Sequence, residues 1–159
     1  TVALAGYTNS GKSTLLNALS GSNVLAENKL FATLDPTARK VNLGKYEALF
    51  IDTVGFIRDI PTRLIEAFKS TLSYIKSADV VLCVADASGD YKAQIDTTEE
   101  ILKDIGVVTP IIKVYNKCDK ITGISIFDKD SVVVSAKLKI GLDDLKNKVV
   151  EVIEQSSKR

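Results

Sequence analysis

The chain has 159 residues, which corresponds to about one domain with room for its own hydrophobic core. Its 21 basic side chains nearly balance 20 acidic ones, so no overall charge favours nucleic acid or anionic lipid. The absence of histidine excludes a Ser-His-Asp hydrolase, a histidine-ligated zinc site and an imidazole general base within these residues. Two cysteines form no disulfide framework, so we expect a cytoplasmic setting. No apolar run approaches the roughly 20 residues that cross a bilayer, so we expect no membrane span.

Short β-rich runs alternate with helical stretches along the chain. The predicted strands are Thr1–Ala5, Arg39–Leu43, Ala48–Asp52, Val80–Asp86, Pro110–Asn116 and Ser131–Ser135. The predicted helices are Ser13–Ser20, Thr62–Lys76, Tyr91–Ile105 and Gly141–Gln155. This alternation predicts an α/β fold with a mostly parallel six-stranded sheet and helices on both faces. The uniformly apolar run Val80–Ala85 indicates a central strand, and the turn at Asn42–Tyr46 predicts one antiparallel edge strand.

The segment after the first strand, Gly6–Ser13, fits the phosphate-loop pattern G-x-x-x-x-G-K-[ST]. Glycines let backbone N–H groups face a polyphosphate, and the following helix adds the positive end of its dipole. Lys12 is predicted to reach the β and γ phosphates, and the Ser13 hydroxyl to bind Mg²⁺. The predicted phosphate-side residues are Asn9, Ser10, Gly11, Lys12, Ser13 and Thr14.

A second motif, Asp52-Thr53-Val54-Gly55, follows the apolar strand that ends at Asp52. A carboxylate there can hold Mg²⁺ through water, and the Gly55 N–H can donate to a γ-phosphate. The segment beyond Gly55 would then rearrange when that phosphate leaves. Without the phosphate loop, the same residues would indicate only a turn.

A third motif, Asn116-Lys117-Cys118-Asp119, follows the strand Pro110–Asn116, at the carboxyl edge where α/β sheets bind ligands. An aspartate accepts two hydrogen bonds from the N1–H and amine of guanine, a pair of donors that adenine lacks. We therefore predict that Asn116, Lys117 and Asp119 frame and read guanine. The last strand ends in Ser135, Ala136 and Lys137, where the Ala136 N–H is predicted to meet guanine O6.

In this order, the motifs resemble the Ras-like GTP-binding domain of translation-factor-class GTPases, which implies the three-layer P-loop NTPase fold. Gly6–Ser13, Leu30–Thr37, Asp52–Pro61 and Leu64–Leu72 are more closely similar to the HflX family, relatives of the Obg GTPases. The resemblance implies a GTP-hydrolysing switch that uses Mg²⁺, associates with the large ribosomal subunit and its RNA, and splits or rescues ribosomes. It also implies that residues 1–159 form one monomeric GTP-binding domain, without the additional N-terminal domain of the family.

The same resemblance assigns Thr33 as the switch threonine that closes over Mg²⁺ and the γ-phosphate, with Thr37 as a near rival. The predicted metal ligands are then Ser13, Thr33 and Asp52, and the residues expected to act in hydrolysis are Asn9, Lys12, Thr33 and Gly55.

Ras-type hydrolysis uses a glutamine directly after D-x-x-G to orient water, and this chain has Phe56 there. In potassium-activated relatives, the loop position of Asn9 helps to hold a monovalent cation beside the phosphates. We therefore expect K⁺ to assist, although an asparagine in this loop also serves simply to brace a turn.

Three alternatives stay open. Because the glutamine is missing, the chain is alternatively a nucleotide-loaded scaffold that never hydrolyses GTP. The phosphate loop alone also permits an ATPase or a kinase. The family resemblance also permits a GTPase of RNA modification or ribosome assembly. Cys118 is explained by its place in the base motif, and the alternative is a redox role in which the neighbouring Lys117 lowers the thiol pKa.

Overall fold

The computed structural model describes residues 1–6, 10–20, 37–52, 75–104, 106–120 and 131–157. Its strands are β1 (Val2–Gly6), β2 (Thr37–Asn42), β3 (Glu47–Asp52), β4 (Val80–Asp86), β5 (Ile111–Asn116) and β6 (Val132–Val133). Its longer helices are α1 (Lys12–Ser20), α2 (Tyr91–Asp104) and α3 (Leu142–Ser157), and a single 3₁₀ turn covers Cys118–Lys120. No helix within these ranges is long and apolar enough to cross a membrane.

The six strands form one sheet in the order β2-β3-β1-β4-β5-β6. β2 and β3 pair antiparallel, with Thr37 opposite Asp52, and the other neighbouring pairs are parallel. The turn between β2 and β3 closes with a hydrogen bond from Leu43 N–H to Tyr46 O at 2.9 Å. The predicted antiparallel edge strand and the central position of β4 are both confirmed.

Apolar side chains cover both faces of the sheet. Leu82 and Val84 of β4 pack with α1 and α3, whereas Val81 and Cys83 face the side that α2 covers. Because side chains alternate along a strand, a segment buried on both faces must be apolar at every position, as β4 is from Val80 to Ala85. The structure thus confirms the three-layer α/β fold. Of the predicted helix Thr62–Lys76, only residues 75–76 are described, and they are helical.

Most strand boundaries match the sequence prediction to within one residue, and two of them differ by two residues. β2 begins at Thr37 rather than Arg39, so this alternative switch threonine starts the edge strand. β6 ends at Val133 rather than Ser135, because the chain turns there. Ser135 and Ile140 exchange two backbone hydrogen bonds of 3.0 Å, and the turn between them places Ser135 and Ala136 beside β5.

Candidate nucleotide-binding site

The predicted motifs meet because the parallel strands end at one edge of the sheet. Register pairs Leu4 of β1 with Asp52 of β3, and Asp86 of β4 with Asn116 of β5. β1 and β4 approach so closely that a Cβ on Gly6 would lie 2.3 Å from Val84 O. The carboxyl ends of four neighbouring strands therefore carry the phosphate loop, Asp52, Asp86 and the base motif.

Lys12 and Ser13, the first residues of α1, meet Asp52 at this edge. Ser13 Oγ donates to Asp52 Oδ2 at 2.8 Å, and Lys12 Nζ lies 3.9 Å from Asp52 Oδ1. Only 4% of Lys12 and 2% of Asp52 are exposed. Burial lowers the pKa of Lys12 below its ordinary value, and the Asp52 charge opposes that shift. A hydroxyl and a carboxylate side by side are the oxygen ligands that Mg²⁺ prefers, so this pair fits the predicted metal.

Asn116 is the first residue of the base loop, Asn116–Asp119, and connects this loop to the phosphate loop and to Ala136. Its Nδ2 donates to Ser10 O at 3.0 Å and approaches Gly11 O at 3.5 Å, while its Oδ1 accepts from Ala136 N–H at 3.0 Å. Gly11 has a φ of +89°, and a Cβ there would lie 2.4 Å from Asn116 Nδ2. A glycine is required because the buried amide of Asn116 occupies the space beside it.

Asp119 lies on the 3₁₀ turn and is oriented by Ser135. Ser135 Oγ donates to Asp119 Oδ1 at 2.7 Å and accepts from Leu138 N–H at 3.2 Å. Ser135 thus acts on the candidate base-reading carboxylate. The Ala136 N–H donates to Asn116 in this structure, so its predicted contact with guanine O6 would have to share or replace that hydrogen bond.

Asp86 is a site residue that the motifs did not single out. Its Oδ2 lies 3.3 Å from Lys117 Nζ, and Lys117 has a left-handed φ of 66°. Burial raises the pKa of Asp86, but hydrogen bonds from Ser88 and the charge of Lys117 outweigh this and hold it below its usual value. The feature of the sequence that could have indicated Asp86 is its place at the end of the predicted strand Val80–Asp86, which comes before the strand of the base motif.

The remaining predicted residues fall into two groups. Thr14 is half-buried in α1, and Lys137 is exposed on the turn after Ser135. Asn9, Thr33, Gly55 and Phe56 lie outside the described residues, so their roles stay predictions.

The alternative for Cys118, in which Lys117 lowers its thiol pKa, does not hold. Its thiol pKa is raised, first by burial and then by the Asp119 charge, so the neighbouring lysine does not activate it.

Comparison with known proteins identifies the family of this chain. A family model described as "50S ribosome-binding GTPase" matches residues 1–117. GTPase HflX of Caldanaerobacter subterraneus subsp. tengcongensis is 51% identical over 157 residues, which cover 97% of this chain and 36% of that protein. This chain therefore spans a little over a third of that relative.

Solved structures show the same fold. A GTP-binding protein from the archaeon Sulfolobus solfataricus, crystallised with GDP, matches with a TM-score of 0.76 at 30% identity, over 97% of this chain and 52% of that chain. Era, in complex with MgGDPNP and a segment of 16S ribosomal RNA, matches with a TM-score of 0.76 at 27% identity, over 95% of this chain and 55% of that chain. The chain belongs to the 50S ribosome-binding GTPase family, and its sequence is that of an HflX-family GTP-binding domain.

Proposed function

We propose that this chain binds GTP and GDP with Mg²⁺ and hydrolyses GTP to GDP and phosphate as a molecular switch. The observation that carries the proposal is the Asn116 bridge, which joins the phosphate loop to the base loop through a buried amide. This contact supports a single site for the candidate phosphate-binding and base-reading groups. Relatives crystallised with GDP and MgGDPNP support the same ligand class.

The described side chains have distinct roles in this proposal. Lys12 places a buried positive charge where the β and γ phosphates would lie, and such a charge acts strongly because little water screens it. Ser13 and Asp52 would hold Mg²⁺, which neutralises phosphate charge when bound. Asp119, oriented by Ser135, would accept hydrogen bonds from guanine. Thr33 or Thr37 would complete the metal site, and Gly55 would donate to the γ-phosphate.

Hydrolysis by the isolated chain is expected to be slow. Phe56 stands where Ras-like enzymes have the water-orienting glutamine, and its ring has no hydrogen-bonding group. We expect about 10⁻⁴ to 10⁻² turnovers per second, as for GTPases with an incomplete site. A partner or a second cation such as K⁺, held near Asn9, would supply the missing positioning and charge.

We further propose a role on the large ribosomal subunit, in splitting or rescuing ribosomes. The family description, "50S ribosome-binding GTPase", supports a large-subunit partner, and the Era complex supports contact with ribosomal RNA. Because these residues span 36% of the HflX relative, the role is proposed for a full-length member of the family rather than for these residues alone.

The proposal is tested by phosphate release from GTP, with and without large ribosomal subunits, and by competition of ATP against labelled GDP. Lys12→Ala should abolish tight binding, and Lys92→Ala, on the exposed face of α2, should leave it unchanged. Equal competition by ATP and GTP would favour the ATPase alternative. Tight GTP binding without any hydrolysis, even with ribosomal subunits, would favour the scaffold alternative.

A further inference from the structure

Asp86 lies outside the motifs that predicted the nucleotide site, yet its carboxylate contacts one of them. It is the last residue of β4 and lies opposite Asn116 in the parallel register with β5. Its Oδ2 is 3.3 Å from Lys117 Nζ, and the two side chains are only 16% and 26% exposed. Removing one partner of an ion pair that is shielded from water to this extent leaves the other charge poorly compensated, whereas removing one partner of a pair in open solvent costs little.

The Asp86 carboxylate is oriented before it meets Lys117. Its Oδ1 accepts hydrogen bonds from the backbone N–H and the hydroxyl of Ser88, at 2.9 and 2.5 Å. Its own backbone N–H donates to Gln94 Oε1 of α2 at 3.1 Å. One carboxylate oxygen therefore secures the turn after β4, and the other faces Lys117.

The Lys117 side chain runs from the base loop past the phosphate loop to Asp86. Its Cε lies 3.6 Å from the position that a Cβ would take on Gly11. Its backbone has a φ of 66°, in the left-handed region that is uncommon for lysine. The contact with Asp86 holds the far end of this side chain, and the preceding residue, Asn116, is held by its hydrogen bond to Ser10 O.

We propose that Asp86 is a positioning residue for guanine nucleotide binding, acting through the Lys117 side chain that it holds beside the phosphate loop. The inference rests on the proposed function, because it concerns the same nucleotide site. When the carboxylate loses its charge, the Lys117 ammonium turns to solvent, its stem leaves Gly11, and the base loop relaxes. Bound nucleotide then dissociates faster.

The first experiment measures the dissociation of fluorescent GDP from Asp86→Asn. The amide keeps an oxygen that accepts from Ser88, so the turn survives while the charge is lost. We expect dissociation about tenfold faster than in the unchanged chain, and Asp86→Glu should recover part of that loss. The matched control is Asp96→Asn, which removes the same charge from an exposed position on α2 and should leave the rate unchanged.

A double-mutant cycle separates positioning from a general role in folding. Lys117→Met removes the ammonium and keeps most of the stem, so adding Asp86→Asn to it should change the dissociation rate by less than about twofold. An equal tenfold effect in both backgrounds would overturn the inference, as would loss of cooperative melting in both. If the unchanged chain binds no guanine nucleotide, the proposed function itself fails. If it binds and Asp86→Asn binds equally well, only the present inference fails.

Discussion

Asn116 and Ser135 make contacts within the protein that explain their places in the motifs. The amide of Asn116 lies between the phosphate loop and Ala136, and the hydroxyl of Ser135 lies between Leu138 N–H and Asp119. Each fixes a neighbour at the site. Base discrimination in the proposed function therefore depends most directly on the Asp119 carboxylate.

Asp119→Asn should change which purine the site prefers. The amide oxygen can still accept from Ser135 Oγ, so the turn should hold, but an amide N–H₂ faces guanine donors in place of a carboxylate oxygen. We expect GDP affinity to fall about 100-fold or more, and xanthosine diphosphate to bind better than GDP. Competition against fluorescent GDP measures both affinities, and an unchanged preference for GDP would contradict the assignment of Asp119.

Gly11→Ala should destabilise the fold through a single contact. The added Cβ would lie 2.4 Å from Asn116 Nδ2, and the φ of +89° is itself unfavourable for alanine. We expect a loss of about 2–4 kcal/mol in the free energy of unfolding, measured by urea denaturation.

Gly44→Ala is the matched control for that variant. Gly44 has a similar φ of +96°, but no atom lies within 4 Å of an added Cβ. It should therefore lose only the backbone contribution, about 1 kcal/mol. Equal losses in the two variants would show that the Asn116 contact does not constrain Gly11.

At the scale of elements, the sequence predicted what depends on local pattern. The apolar run of β4 indicated a central strand, and the turn at Gly44 indicated the antiparallel edge. The contact of Asp86 with Lys117 was not predictable in this way, because it depends on which strands become neighbours. The strand β6 was predicted, but its early end was not, because the bridge between Ser135 and Ile140 depends on tertiary contacts that a run of apolar residues does not encode.

Leu82→Ala tests the central position of β4. Leu82 is fully buried in the core that α1 and α3 cover, so truncation removes apolar contacts and leaves a cavity. We expect a loss of about 2–5 kcal/mol in the free energy of unfolding, by chemical denaturation. Leu49→Ala, at a 41% exposed position of β3, makes the same chemical change and should cost less than about 1 kcal/mol. Similar costs would contradict the central placement of β4.

At the scale of the whole molecule, acidic and basic side chains are nearly equal in number. Positive and negative side chains also lie close together in the site. Among the described residues of the site, Lys12 and Lys117 each lie near a carboxylate, on Asp52 and Asp86. Each carboxylate therefore offsets part of the positive charge that its lysine offers to a polyphosphate. The proposed nucleotide should consequently bind with added cations, with Mg²⁺ at Ser13 and Asp52 and a monovalent cation beside the phosphate loop.

Potassium is expected to accelerate GTP hydrolysis by this chain. Phe56 supplies neither a hydrogen bond nor a charge, so a cation held near Asn9 would stabilise charge that develops between the phosphates. Turnover in potassium chloride should exceed turnover in sodium chloride by about tenfold at matched ionic strength, measured by phosphate release. Asn9→Ala should remove the difference, whereas Asn147→Ala, on the exposed face of α3, should retain it. Equal rates in the two salts for the unchanged chain would show that Asn9 only braces the loop, leaving a protein or RNA partner to provide the missing charge.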